Sequence, residues 1–482
     1  MALLGVAKGS PIRLYLLATH RLIVCLREST SLEAQMSARF VDCSYKGFSV
    51  VADALFASLR SEEALSLVFS AEETDFIRFN KARIRQTTHV QQAELEMQLQ
   101  DRGKTIHLRW SLALRPKDDI SLSLLNLGRA RQLLEKLPPD PFQVKIRNNG
   151  ESSSDLVGDY PKAAELTLYV AGTAAGSDFV GLVCAGSVIS ANRNSLGQSH
   201  WFSTGSFFVD YSLFLDDRSV KGCYSGTKWS DFEWKKSFED SKAKLSLMNK
   251  PLKVVEPGAY RLYLAPAAVS EILGHFEWGV LSQKAFQQGT SPFLKLARSE
   301  VRLSPLLSLR ENFDLHLCPK FNSRGEVSAS QVDLISQGNF IRFLTNTKSS
   351  LEFSVPSNGA NDSESLRSPE ILPGTLTQEE ILPQLETGLY ISNLHYLAWS
   401  DHLSARLTGM TRFGCFWVEA GRIVGPIQNM RFDESVYDLW GKSLLALTDF
   451  QETDPAVGTY FRRSLGGRKI PGMLISSAQF TL

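Results

Sequence analysis

The chain has 482 residues, with 52 Lys and Arg balanced by 51 Asp and Glu for a net charge of +1, 43% apolar residues and 21% charged ones. That balance excludes a global basic field for nucleic acid, and 28 Phe, 12 Tyr and 8 Trp exclude bulk disorder. At roughly 150 residues per domain the length corresponds to two or three globular domains, and no uncharged stretch reaches the ~20 apolar residues of a membrane span.

In chain order, residues 1–44 are predicted to be an N-terminal extension. It carries Lys8, Arg13, Arg21 and Arg27 with no acid before Glu28; its apolar runs are too broken for a secretory signal. A transit-like presequence and a start at Met36 are the alternatives to an unprocessed extension. From Glu63 to Leu114 the pattern is β: Ala93, Leu95, Met97 and Leu99 alternate with polar residues. Asp101-Arg102-Gly103-Lys104 then turns into Ile106, Leu108, Trp110, Leu112 and Leu114, an antiparallel hairpin. Residues 118–137 read as an amphipathic helix, with Leu122, Leu125, Leu127, Ala130, Leu133, Leu134 and Leu137 as its stripe and Pro138-Pro139 as its stop. The polar stretch 148–155 is a candidate linker inside the N-terminal domain. Apolar strands follow, among them Phe207, Val209, Tyr211, Leu213 and Leu215 in alternation.

Residues 266–288 form the strongest helical pattern of the central region, with Val269, Ile272, Leu273, Phe276 and Val280 as a core stripe. Beyond a polar loop at 356–373 the pattern returns to strands, and Cys415–Glu419, Ala420-Gly421 and Arg422–Ile427 make a second hairpin. The expected fold is α+β. An N-terminal α/β domain over 45–255 has a mixed or antiparallel sheet, and a β-rich C-terminal domain over 256–482, barrel- or sandwich-like, carries the central helix.

Chemistry is sparse. The six cysteines at 25, 43, 184, 223, 318 and 415 include no CxxC pair, so neither a disulfide framework nor a zinc ribbon is indicated, and a reducing cytoplasm fits best. Glu271 and His275, four apart on the central helix, share one face; alone they are most simply an exposed Glu–His pair. His316 and Cys318 would face the same side of a strand, with Cys415 as a distant third ligand that no spacing supports. Asp401-His402 lacks a Gly-x-Ser-x-Gly elbow, and there is neither a Gly-x-Gly-x-x-Gly nor a phosphate-binding Gly-x-x-x-x-Gly-Lys-Ser/Thr.

Seven segments in register carry a family resemblance: Asp178-Phe-Val-Gly-Leu-Val-Cys-Ala-Gly186, Asn194-Ser-Leu-Gly-Gln-Ser-His-Trp201, Asp210-Tyr-Ser-Leu-Phe214, Lys221-Gly-Cys-Tyr-Ser-Gly226, Leu264-Ala-Pro-Ala-Ala-Val-Ser-Glu-Ile-Leu-Gly274, Thr387-Gly-Leu-Tyr-Ile-Ser-Asn393, and Thr408 to Gly421. From about residue 45 onward the chain resembles the TldD/TldE family, whose TldE half is also called PmbA, described as modulators of DNA gyrase and treated as metallopeptidase-type proteins. The resemblance implies a dimer enclosing a cavity in which an extended peptide is cleaved. In the TldD-like half the metal sits on a His-Glu-xxx-His helix, with a cysteine from near the C-terminus. Matching that helix places Ser270 at the first histidine, Glu271 at the general base and His275 at the second histidine, while the stretch Tyr460–Gly467, where the cysteine should lie, contains none. The resemblance therefore implies a TldE-like chain, or one of a related branch lacking the zinc motif, with no catalytic or metal-binding residues of its own and no cofactor. Zinc is expected only in a TldD-like partner, and unfolded peptides are the expected substrate. A peptide-binding homodimer and a stand-alone peptidase using Cys318, Cys415 or His402 are the alternatives. Neither nucleic acid nor membrane is an expected partner.

Overall fold

The computed structural model describes residues 40–481. A helix α1 spans 40–57, so the expected extension is already folded at Phe40 and Ser44, both buried; the remainder of that expectation lies outside the described residues. Strands β1 (Ala64–Asn80), β2 (Arg83–Asp101) and β3 (Lys104–Leu112) precede helix α2 (Pro116–Leu134), β4 (Glu151–Leu156) and α3 (Ala163–Ala174). Strands β5 (Asp178–Asn194), β6 (Ser199–Leu215) and β7 (Arg218–Gly226), then helix α4 (Asp231–Met248), complete the N-terminal part. Its sheet runs in the order β3-β2-β1-β5-β6-β4, with β7 also on β6. All pairings are antiparallel except β4 on β6, so the sheet is mixed.

The β2–β3 hairpin forms as its alternation requires: Leu95, Met97 and Leu99 are fully buried, and Asp101 faces Lys104 across a turn. Both turn residues, Arg102 (φ 47°) and Gly103 (φ 76°), are left-handed, the geometry that matches the twist of the flanking strands. Helix α2 buries part of its expected stripe, Leu127, Ala130 and Leu134, but not the rest. Asp119, Ser123, Asn126, Leu127, Ala130 and Leu134 face inward, whereas Leu122, Leu125, Leu133 and Leu137 are exposed. The Asp119 carboxylate, which accepts hydrogen bonds from the Ala113 and Arg115 amides at 2.8 Å, fixes the helix's rotation at its first turn. Phe48, Val51 and Leu55 of α1 join Leu127, Ala130 and Leu134 over the β1–β3 half of the sheet, and α3 and α4 cover the other half. The expected linker is an edge strand from Glu151 onward: its serines and Asp155 lie mostly at the surface, but its backbone pairs with β6 from Ser199 to Thr204.

The C-terminal part opens with β8 (Gly258–Leu264), α5 (Pro266–Gly274), α6 (Gln283–Gln287) and α7 (Leu294–Ala297), then β9 (Leu309–Asn312), β10 (Gln331–Ser336), β11 (Asn339–Phe340), α8 (Thr347–Phe353), β12 (Pro369–Ile371) and α9 (Ile381–Leu385). It continues with β13 (Gly388–Ile391), β14 (Asn393–Asp401), β15 (Arg406–Arg412), β16 (Phe416–Glu419), β17 (Arg422–Pro426), β18 (Arg431–Ser435), β19 (Leu444–Pro455) and β20 (Gly467–Phe480). The second sheet has the open order β11-β10-β9-β12-β20-β8-β13-β16-β17, with β18 and β19 branching from β20. Among the described residues it does not close into a barrel. The β16–β17 hairpin turns through Ala420 (φ 48°) and Gly421 (φ 70°), as its sequence requires. The central helix is shorter than its periodicity suggests: α5 ends at Gly274, a 3₁₀ turn covers His275–Glu277, and a helical turn returns only at Gln283. The stripe from Val269 to Val280 is nevertheless wholly buried. Burial follows the apolar spacing, while Gly274, a poor helix former, marks where the α geometry stops.

Candidate functional site

Helix α5 starts with Pro266 in its first turn, where a missing amide hydrogen costs nothing, and is carried on β8, which pairs with β20 and β13 at the middle of the second sheet. This places Ser270 and Glu271 beside the ends of β19 and β20. Ser270 is buried; its hydroxyl donates to the Asp454 carboxylate of β19 and accepts from Arg468 Nη1 of β20 at 3.3 Å. The same Arg468 Nη1 lies 3.4 Å from Asp454 Oδ2, and Nη2 lies 2.6 Å from Glu277 Oε1. A Cβ at position 274 would stand 3.0 Å from Arg468 Nη2, so Gly274 leaves room for the guanidinium.

His275 points elsewhere. Its Nε2 donates to the Leu397 carbonyl of β14 at 2.7 Å, and Nδ1 lies 3.4 Å from the Glu271 carbonyl. The Nε2 lone pair that would bind a metal is therefore replaced by an N–H tied to the backbone. Glu271 reaches solvent, yet protein packed around its carboxyl raises its pKa, with Asp454 adding to the rise and Arg468 opposing it.

Here the N-terminal part meets the second sheet: β7 packs against β19, as α5 does. Lys221 of β7 binds Asp210 of β6 at 2.5 Å. Cys223 is solvent-accessible but hemmed in; burial pushes its thiol well above the ordinary range, and Asp210, Asp454 and Glu452 push the same way. Glu452 is raised by burial and opposed by Lys244, and Lys244 is itself raised by Tyr390, Glu452 and Asp240. Such a set of fixed, opposed charges can hold polar main chain, but it offers no activated thiol, because the thiolate is the nucleophile.

The other sequence candidates are dispersed. His316 and Cys318 do not share a strand: His316 is an exposed left-handed residue (φ 55°) closing a 3₁₀ turn, and Cys318 is buried. Burial raises Cys318 to about 12 and Cys415 to about 11. Asp401 caps its own turn, accepting from the Leu403 amide at 2.9 Å and the Ser404 hydroxyl at 2.6 Å, rather than orienting His402. Among the described residues no three His, Cys, Asp or Glu side chains converge as a metal site. In the stretch Tyr460–Gly467, Arg463 is buried and binds the Ser206 carbonyl at 2.8 Å and hydroxyl at 2.9 Å, clamping this loop to the N-terminal sheet. Zinc does not fit here: of the two positions that the resemblance matches to histidine ligands, Ser270 is a buried serine beside the Arg468 guanidinium and His275 is bonded to main chain. Arg468, Asp454 and the charged groups of β7 and α4 escaped the sequence reading. The available signal was Arg468 directly after Gly466-Gly467, at the end of the stretch where a cysteine was sought.

Residues 257–482 match the family described as the PmbA/TldA metallopeptidase C-terminal domain. This C-terminal part of the chain belongs to the PmbA/TldD family. Solved structures share the fold of nearly the whole chain. TldE from Thermococcus kodakarensis is 13% identical, with a TM-score of 0.72 over 87% of this chain and 97% of its own. A "putative modulator of a DNA gyrase" from Thermotoga maritima is 16% identical with a TM-score of 0.71 over 90% and 100%, and a protein so described from Bacteroides thetaiotaomicron is 15% identical with 0.71 over 91% and 98%. No curated protein matches by sequence. Among the described residues no helix is long and apolar enough to cross a membrane.

Proposed function

We propose that this chain is the non-catalytic, TldE-type subunit of a TldD/TldE-type zinc metallopeptidase assembly. It supplies cavity wall and binding surface for unfolded peptides, while a TldD-like partner supplies the zinc and the general base. The observation that carries this reading is the Arg468 guanidinium beside Ser270, hydrogen-bonded with Asp454: a fixed cation of the chain's own stands next to the helix position at which the family's catalytic half has a histidine. A guanidinium cannot be deprotonated in a protein and offers no lone pair, so it neither binds nor activates water as zinc would. The five cysteines of the described residues are all free thiols, in keeping with a cytoplasmic assembly.

The purified chain is expected to hold no stoichiometric zinc and to cleave no unfolded peptide alone. An endogenous tag is expected to recover a second family chain with an intact His-Glu-xxx-His, and Glu271→Gln is expected to leave the reconstituted assembly near wild-type activity. One tightly held zinc per purified chain, or a loss of two or more orders of magnitude on Glu271→Gln with association intact, overturns the reading.

A further inference from the structure

A cavity lies away from α5, where the segment between α2 and β4 faces the loops around β10 and α8. It has a volume of about 1050 Å³. One wall is the stretch 144–149, assigned to no strand although its backbone is bonded as a strand's would be. The Gln100 side chain accepts from the Ile146 amide at 3.0 Å and donates to the Val144 carbonyl at 2.8 Å, so a side-chain amide takes the place of a neighbouring strand. Backbone groups of successive residues in an extended chain point to opposite sides, so Lys145, between the two bonded residues, presents its N–H and C=O the other way. Among the described residues neither group has a protein partner.

The facing wall includes Gln331, Val332 and Asp333 of β10. These pair with β9 on one side, whereas β11 reaches only Ile335 and Ser336 on the other, leaving their second side open. Two open strand edges thus border one cleft. Its lining is charged in one sense: Lys145, Arg147, Arg324 and Arg342 outnumber Glu326 and Asp333. Arg324 binds Asp362 through Nη2 at 2.9 Å, but its buried Nη1 has no partner. Val327 and Leu351, 46% and 51% exposed, add apolar contact surface within the same cleft.

We propose that this cleft binds an extended polypeptide segment carrying acidic side chains, which adds as a strand to the Lys145 edge while its carboxylates meet the cationic lining. Main-chain pairing gives such a site its affinity and the charged lining its preference. The inference rests on the peptide-binding part of the proposed function and locates a docking site remote from Ser270, with a charge preference that part does not specify.

Fluorescence anisotropy on the full chain tests it with a labelled twelve-residue peptide alternating Glu with Val and Thr, a matched Lys peptide, and the Glu peptide N-methylated at alternate residues to block pairing. The Glu peptide is expected to bind at least tenfold more tightly than either control. The double variant Lys145→Glu/Arg342→Glu, at two exposed positions, is expected to lose that preference and to gain affinity for the Lys peptide. Equal binding of Glu and Lys peptides, full binding of the N-methylated peptide, an unchanged preference in the double variant, or no binding at millimolar peptide overturns the proposal. Zinc content and co-purification report separately on the subunit assignment, so the two readings fail by different measurements.

Discussion

Replacing Arg468 with Met removes the cation beside Ser270 while keeping an unbranched chain of similar length. Arg468 holds two carboxylates, Glu277 at 2.6 Å and Asp454 at 3.4 Å, each more than a third exposed, and one buried hydroxyl. Ion pairs with that much solvent contact contribute roughly 0.2–1 kcal/mol apiece and the hydrogen bond to Ser270 about 0.5–1, so the variant is expected to lose about 1–3 kcal/mol at pH 7.5. The pH dependence tells this apart from lost packing. Glu271 has a folded pKa raised by burial and by Asp454, and Arg468 limits the rise. A carboxyl with a raised folded pKa favours the folded state below its unfolded value, and that contribution is lost as pH rises through the folded pKa. At neutral pH ionised Glu271 is therefore a liability that Arg468 relieves, and the Arg468→Met deficit should shrink as pH is lowered through the Glu271 folded pKa. Urea midpoints of the variant, and of Arg468→Met/Glu271→Gln, measured from pH 7.5 downward check it. The double variant should recover part of the loss at pH 7.5 and progressively less as pH falls. A deficit independent of pH, or no deficit at all, refutes the idea that this guanidinium relieves the Glu271 charge.

Arg463→Met removes the buried clamp on Ser206 and leaves its acceptors unpaired, for an expected loss of about 3 kcal/mol and faster trypsin cleavage at Arg462 on limited proteolysis. Glu96→Gln tests a depressed carboxylate: hydrogen bonding to His107, then to Arg109, holds Glu96 at about 2, so its stabilisation, about 1 kcal/mol, is present above the ordinary carboxylate range and disappears as pH falls through 4.5 to about 2, which acid titration of wild type and variant resolves. A Cβ at position 186 would lie 2.0 Å from the Glu73 carbonyl on the adjoining strand, so Gly186→Ala should cost about 3 kcal/mol or prevent folding, read by thermal melting. Ser270→His should bind zinc weakly and hydrolyse nothing in metal titration and peptide assays, because the new ring meets Arg468 and Asp454 where a thiolate would be needed.

What local pattern can specify was readable from the chain. The hairpin at Asp101–Lys104 and the turn at Ala420-Gly421 each combine alternation with residues that tolerate positive φ, and both stand as expected. Helix α2 shows where the reading stops. Apolar spacing selects 122, 125 and 133 together with 127, 130 and 134, but only the last three face inward, beside Asp119, whose hydrogen bonds to Ala113 and Arg115 depend on how the preceding strand ends. Hydrophobicity ranks the faces, and a polar anchor chooses between them. The serine-rich stretch 151–154 errs the other way: its side chains are polar because β4 is an edge strand, and backbone pairing with β6 needs no apolar pattern.

The site divides along the same line. Ser270, Glu271 and His275 could be located by matching a helix, because a motif on one element keeps its spacing in sequence. The residues that decide what the helix does arrive from far along the chain: Asp454 is 184 positions and Arg468 198 positions from Ser270. No periodicity links residues at such separations; β20, paired with β8 beneath α5, brings them together. The changes at the two ends are physically coupled. A histidine at 270 would place its ring where the Ser270 hydroxyl bonds Asp454, and a guanidinium beside bound zinc would repel it. Once Arg468 is fixed between Asp454 and Glu277, a small hydroxyl at 270 and a glycine at 274 are what the space admits, and both are present. The serine and the arginine thus make one arrangement, so restoring a single ligand should not restore a metal site.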